Sequence, residues 1–137
     1  MSENASFMAS INAFVDRAKA NQETVVRVAS LRILVRLVQM SPVDTGRFRG
    51  NWLVGFNNVP DGTLATVDKT GSETIARGSL VIEQFKVGMT SVYFTNNLPY
   101  ALSLELGHSS QAPAGMVRVT AAEFQRFFDA AAQEVRT

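Results

Sequence analysis

Glu105, His108, Ser109 and Ser110 form the densest group of side chains with catalytic chemistry in the chain. A carboxylate, an imidazole and a hydroxyl are the parts of a nucleophilic triad. Neighbours in one loop, however, rarely aim at a common reaction centre, and no strand–turn–helix elbow surrounds these serines. The plain alternative is that His108 hydrogen-bonds within its loop or at an interface. Asp44, Asp61 and Asp68 fall among turn residues, where aspartate is commonplace, and spacing alone pairs none of them for acid–base work. Gly46 to Gly50 encloses two arginines and lacks the following Lys-Ser/Thr of a phosphate loop. With no cysteine and one histidine, the chain builds neither a thiol nucleophile, a disulfide framework nor a two-histidine metal centre. The expectation is a protein that is not an enzyme and carries no cofactor.

Charge points in the same direction. Thirteen basic residues face twelve acidic ones, so bulk attraction to nucleic acid or anionic membrane is not the main driving force. Residues 1–60 carry seven basic and four acidic side chains, a net +3; residues 61–137 carry six and eight, a net −2. Ten of the thirteen basic residues are arginine, which favours bidentate pairing with carboxylates or phosphates over diffuse attraction. Arg32, Arg36, Arg47 and Arg49 therefore define an alternative reading, a small DNA-binding module. Protein–protein or solvated charge is the better expectation.

The 137 residues, 46% hydrophobic and 18% charged, suit one domain, residues 1–137, with a real core. The polar start lacks the basic and apolar regions of a signal peptide, which leads to the expectation of a cytoplasmic site of synthesis. The most apolar stretch, Val25 to Met40, is broken by Arg27, Arg32 and Arg36 and does not read as a membrane span.

Periodicity predicts a helix over Ser6–Ala20, a restart at Asn21, and a second helix over Gln22–Met40 that ends before Ser41-Pro42. Eleven of the sixteen residues from Val25 to Met40 are apolar, more than the roughly 100° stripe a surface helix needs. Either this is a central core helix, or one face serves the core and another a neighbouring subunit. Strands are predicted over Asn51–Asn58 and Met89–Asn96. Between them, capping-box spacing at Thr70–Glu73 opens a helix over Glu73–Lys86, with strand as the competing reading over Leu80-Val81-Ile82. Pro99 and Gly107 bracket a short helix, Gly107–Gly115 is a small-residue loop, and Met116–Val135 is a strongly amphipathic helix. The fold class is α+β: two N-terminal helices, one middle and one C-terminal helix packed on a small antiparallel sheet.

Two segments together carry a family resemblance. The first is Ser41-Pro42-Val43-Asp44-Thr45-Gly46-Arg47-Phe48-Arg49-Gly50-Asn51-Trp52. The second is Phe94-Thr95-Asn96-Asn97-Leu98-Pro99-Tyr100-Ala101, continuing through Leu104-Glu105-Leu106-Gly107-His108-Ser109 to Gln111 and Arg118. In this order the chain resembles the neck or tail-completion (minor tail, head–tail joining) proteins of tailed bacteriophages, from about Ser6 onward and least between Val59 and Met89.

The resemblance implies a non-enzymatic virion component, assembled in the host cytoplasm. It would form a homo-oligomeric ring of about six-fold or twelve-fold symmetry between the tail tube and the head connector. Its partners would be other neck, connector and tail-tube proteins. Genomic DNA would pass nearby without sequence-specific binding, and no membrane is involved. The expected interface residues are Val26, Ile33 and Leu37 on the apolar helix, Asp44, Arg47 and Arg49 at the corner, and Tyr100, Glu105, His108 and Gln111 around the loop. Asp44 would cap the corner turn, Arg47 and Arg49 would contact a neighbour or phosphate, and Tyr100 would anchor the short helix. Glu105 would meet an arginine of a neighbour, and the Gly107–Gly115 loop would order as a docking arm. The competing expectation is that these residues simply hold the monomer's corner together.

Overall fold

A computed structural model describes residues 2–107, 109–112 and 114–135. It shows an α+β fold, in which the described residues form four helices and one antiparallel strand pair. The first element, α1 (Ser2–Met40), is 39 residues long, about 58 Å. The restart expected at Asn21 does not occur. No glycine or proline lies between residues 2 and 40, and an asparagine inside a helix costs only about 0.7 kcal/mol relative to alanine. The helix stops where Pro42 forces it to.

A single 3-10 turn (Arg49–Asn51) leads into β1 (Trp52–Phe56), and β1 pairs antiparallel with β2 (Val92–Asn96) in the register Trp52↔Asn96 to Phe56↔Val92. Between the strands runs α2 (Ser72–Ile82), and after β2 come α3 (Ala101–Glu105) and α4 (Val117–Val135). All these elements fall close to their predicted places. Pro99 sits in the turn before α3 rather than at its first position. Gly107, at φ +90°, forms the expected exit.

The core is built along α1. Ile33, Leu34, Leu37 and Val38 are buried in one cluster with Phe48, Trp52, Ile82, Leu98 and Met116. The helix packs most heavily on α4 and next on α2, so it is flanked from two directions. Gly78 of α2 allows the second contact, because a Cβ there would lie 2.3 Å from Leu34 Cδ2. This corrects the expectation for the apolar helix. Ile33 and Leu37, expected on an inter-subunit face, are only 7% and 3% exposed and belong to the chain's own core. No large apolar side chain from Val25 to Met40 is fully exposed, and the chain itself buries Ile33, Leu34, Leu37 and Val38, while Val25, Val26, Val28, Leu31 and Val35 are half-buried. Val26 is half-buried beside an open groove with Phe85, Met89 and Phe128.

Ser41 ties the end of α1 to the sheet. Its hydroxyl donates to Leu37 O (2.7 Å) and accepts from the buried Trp52 indole Nε1 (2.7 Å). Ser41→Ala leaves that indole N–H without a partner. The expected loss in urea unfolding is about 1.5 kcal/mol. A change within 0.3 kcal/mol would show that the indole finds another acceptor.

Candidate partner interface

The corner after α1 is held by side chains that reach back to main chain. Arg49 donates to the carbonyls of Gln39 (3.2 Å), Ser41 (2.8 Å) and Lys69 (2.8 Å), so it caps the negative end of α1. Asn51, 1% exposed, donates to Arg47 O and Leu64 O and accepts from Leu64 N (2.7 Å). Gly46 holds a positive φ of +93°, and a Cβ there would lie within 2.8 Å of the Asp68–Lys69 backbone. Only glycine fits that conformation beside that strand of chain. The corner turn is capped by Thr45 Oγ1, which accepts from Arg47 N (3.2 Å). Asp44, expected in that role, presents an exposed carboxylate with no hydrogen-bond or ion-pair partner among the described residues.

The second segment closes onto this corner. Gln111 clasps Val43 on both sides: its Oε1 accepts from Val43 N (2.9 Å) and its Nε2 donates to Val43 O (3.2 Å). Asn96 Nδ2 donates to Phe48 O (2.9 Å), and the Tyr100 ring lies 6.1 Å from that of Phe48. The result is a cleft of about 390 Å³ whose lining includes Asp44, Thr45, Phe48, Tyr100, Leu104 and Gln111. Asp44 is the one charged group among the described lining residues. Arg47 projects from the same turn, exposed and without a side-chain partner among the described residues.

Glu105 is not available to a neighbour's arginine. One carboxylate oxygen accepts from Met116 N (2.9 Å) and Val117 N (2.8 Å), the other from Arg118 N (3.0 Å) and Arg118 Nε (3.1 Å). It therefore caps α4 from outside that helix. Burial raises its pKa, but the backbone hydrogen bonds of Val117, Arg118 and Met116 and the Arg118 side chain outweigh that, and the net shift is downward. The loop it was expected to share with a partner is tied back as well. Ser109 Oγ accepts from Gln111 N, Ala112 N donates to Ser109 O, and Ala112 is buried. His108 lies outside the described residues.

Of the four arginines grouped for phosphate contact, three have partners within the chain. Arg32 pairs with Glu134, Arg36 with Glu123 (2.8 Å), and Arg49 with the carbonyls above. Glu123 also holds Arg126 (2.9 Å), and its pKa is lowered, chiefly by the Arg36 hydrogen bond. Among the described residues, no group of three or more histidine, cysteine, aspartate or glutamate side chains is placed to hold a metal ion. No described helix is long and apolar enough to cross a membrane.

The structure thus brings Asp44, Tyr100 and Gln111 around one cleft with Arg47 beside it. Arg49 and Glu105 serve internal caps, and Val26, Ile33 and Leu37 lie elsewhere. Sequence reasoning missed Asp68, which is buried under the corner. Its signal was the run Asp68-Lys69-Thr70-Gly71-Ser72, an aspartate followed by hydroxyl side chains and a glycine at a helix start. Comparison with known proteins finds no matching family model, no matching curated protein and no matching solved structure.

Proposed function

We propose that the chain is a structural assembly protein of a tailed bacteriophage, acting at the head–tail junction in a ring that joins the tail tube to the head connector. One observation carries the reading. The two sequence segments that resemble the tail-completion family meet in space, through the Gln111–Val43 clasp, the Asn96–Phe48 hydrogen bond and the Phe48–Tyr100 contact. That shared corner leaves Asp44, Arg47 and the 42%-exposed Tyr100 free, a charge-flanked aromatic patch of the kind that docks proteins. It offers docking groups rather than a nucleophile with a base.

The test is mass spectrometry and electron microscopy of purified particles, with wild type and Arg47→Glu. Wild-type chain is expected in intact virions at their junction. Arg47→Glu keeps its melting profile, since an exposed substitution moves stability by about 0.5 kcal/mol or less, while separate heads and tails accumulate. Absence of the wild-type chain from intact particles overturns the proposal.

A further inference from the structure

The sheet stops at two strands, and its two edges differ. Asn57 N donates to Ser91 O (3.0 Å), which sets the phase of the ladder. Tyr93 and Thr95 turn their backbone groups toward β1, while Val92, Phe94 and Asn96 turn theirs away. On the outer side of β1, Arg77 donates to Trp52 O (3.3 Å) and Asn58 N to Phe56 O (2.7 Å). The outward N–H and C=O groups of Val92, Phe94 and Asn96 have no such partner among the described residues. A row of this kind is a template for another strand.

Beside that edge lies a groove of about 230 Å³ between β2 and α4, over the buried Ile33 and Leu37. Its walls include Phe94, Val117, Ala121 and Phe124, and no charged side chain is among the described lining residues. Val117 and Phe124 are 47% and 49% exposed. A third strand on β2 would lay alternate side chains over this groove, on the face that Val92 and Phe94 share.

The chain also carries a segment of matching chemistry. Between residues 59 and 68 it forms no helix, turn or bend. Leu64 turns both its backbone groups inward to the Asn51 side chain, and Asp68 turns its N–H inward to Gly46 O. In an extended chain the groups of Thr63, Ala65 and Val67 therefore face outward, and none of them is hydrogen-bonded among the described residues. Burial alternates in step. Thr63, Ala65 and Val67 are exposed, Val67 by 61%, while Leu64 and Thr66 are half-buried. The segment Thr63–Val67 is uncharged, like the groove. Within one molecule it is pinned at the corner and does not pair with β2.

We propose that copies of this chain join head to tail, the Thr63–Val67 segment of one adding antiparallel to β2 of the next as its third strand. In the register that matches the two rows, Val67 lies opposite Val92, Ala65 opposite Phe94, and Thr63 opposite Asn96. Apolar residues then face apolar ones, the largest faces the smallest, and the polar pair falls at the strand end. The two surfaces are unlike, so the contact is heterologous and continues from copy to copy until rotation closes it. It is separate from the corner cleft and rests on the backbone rows and the groove, not on the head–tail reading.

Sedimentation of the full chain from about 10 μM to 1 mM is expected to show a mass that climbs past two protomers. Val67→Asp sets a carboxylate over the apolar groove. It is expected to weaken association about 100-fold with unchanged melting, because the position is exposed in the single molecule. The chain has no cysteine, so introduced thiols report the register. Mixing Val67→Cys with Val92→Cys chains gives an intermolecular disulfide, because opposed residues of this type have Cα atoms about 5.5 Å apart. Neither variant cross-links alone, and the double variant gives a ladder of covalent oligomers. A wild-type chain that stays monomeric throughout that range overturns the proposal, as does a mixture that fails to cross-link or an association unaffected by Val67→Asp. Association that stops at two copies overturns it too, and assigns the free edge to β2 of a second copy. Incorporation into virions is scored separately, so the two readings fail independently.

Discussion

Asp68→Asn is expected to lower the free energy of unfolding by about 3 kcal/mol, the largest loss from any near-isosteric change in the chain. Asp68 is 6% exposed, and its carboxylate accepts from Gly71 N (3.0 Å), Thr74 N (2.8 Å), Thr74 Oγ1 (2.7 Å) and Thr70 Oγ1 (3.4 Å). Gly71 is the N-cap of α2 and has no side chain to offer, so Asp68 satisfies the free N–H groups of that helix from outside it. Burial alone would raise its pKa. The hydrogen bonds from Thr74, Gly71 and Thr70 outweigh burial and lower it. An asparagine must present an N–H₂ group to donors on one side or the other, and it removes the negative charge from the positive end of α2. Asp68 also donates its own N–H to Gly46 O (2.9 Å), so the corner turn loosens with the helix. Urea unfolding measures the loss. A change below 1 kcal/mol would mean that water or Thr70 replaces the cap.

Much of this fold was legible because its elements are marked by local chemistry. The end of α1 is written in Ser41-Pro42, the exit of α3 in Gly107, and the amphipathic stripe of α4 in its spacing. The strands follow from alternation and are flanked by turn residues. What was not legible depends on partners distant in sequence. The apolar surplus of Val25–Met40 is visible in the residues, but whether α2 and α4 or a second subunit covers it is a tertiary question. Here Ile33 and Leu37 went to the chain's own core. The caps show the same limit. Thr70-Gly71-Ser72-Glu73 has capping-box spacing, yet the acceptor is Asp68, because Gly71 takes a left-handed conformation at the cap and lacks a side chain. Thr70 Oγ1 bonds Ser72 instead.

At the corner cleft the two segments meet, but several side chains take roles other than those expected. Pro42–Arg47 and Tyr100–Gln111 do meet. Yet Thr45 caps the turn, Arg49 caps α1, and Asp44, Arg47 and Tyr100 remain exposed. A hydrogen-bonding side chain at a corner is taken by whichever unsatisfied backbone group lies within reach, and α1 leaves its last carbonyls close to Arg49.

Glu105→Gln tests the other external cap, with an expected loss of about 2 kcal/mol at neutral pH and a melting temperature lower by about 7 °C. Glutamine retains one oxygen for Met116 N and Val117 N but turns an N–H₂ group toward Arg118 N and Nε, where two donors already point. Gly115 makes this cap possible, because a Cβ there would lie within 2.6 Å of the Glu105 main-chain and side-chain oxygens. The pH dependence separates charge from shape. The native pKa of Glu105 is lowered, so the unfolded chain takes up its proton first as pH falls. The stabilisation is whole above the ordinary glutamate value and drains away as pH drops from there through the lowered native value. Its slope reaches at most about 1.4 kcal/mol per pH unit. In Glu105→Gln this contribution is missing, so the gap between variant and wild type should narrow in acid and stay constant from pH 6 to 8. A gap that persists undiminished down to the acid transition would assign the loss to misfit of the amide and leave the charge on α4 without effect.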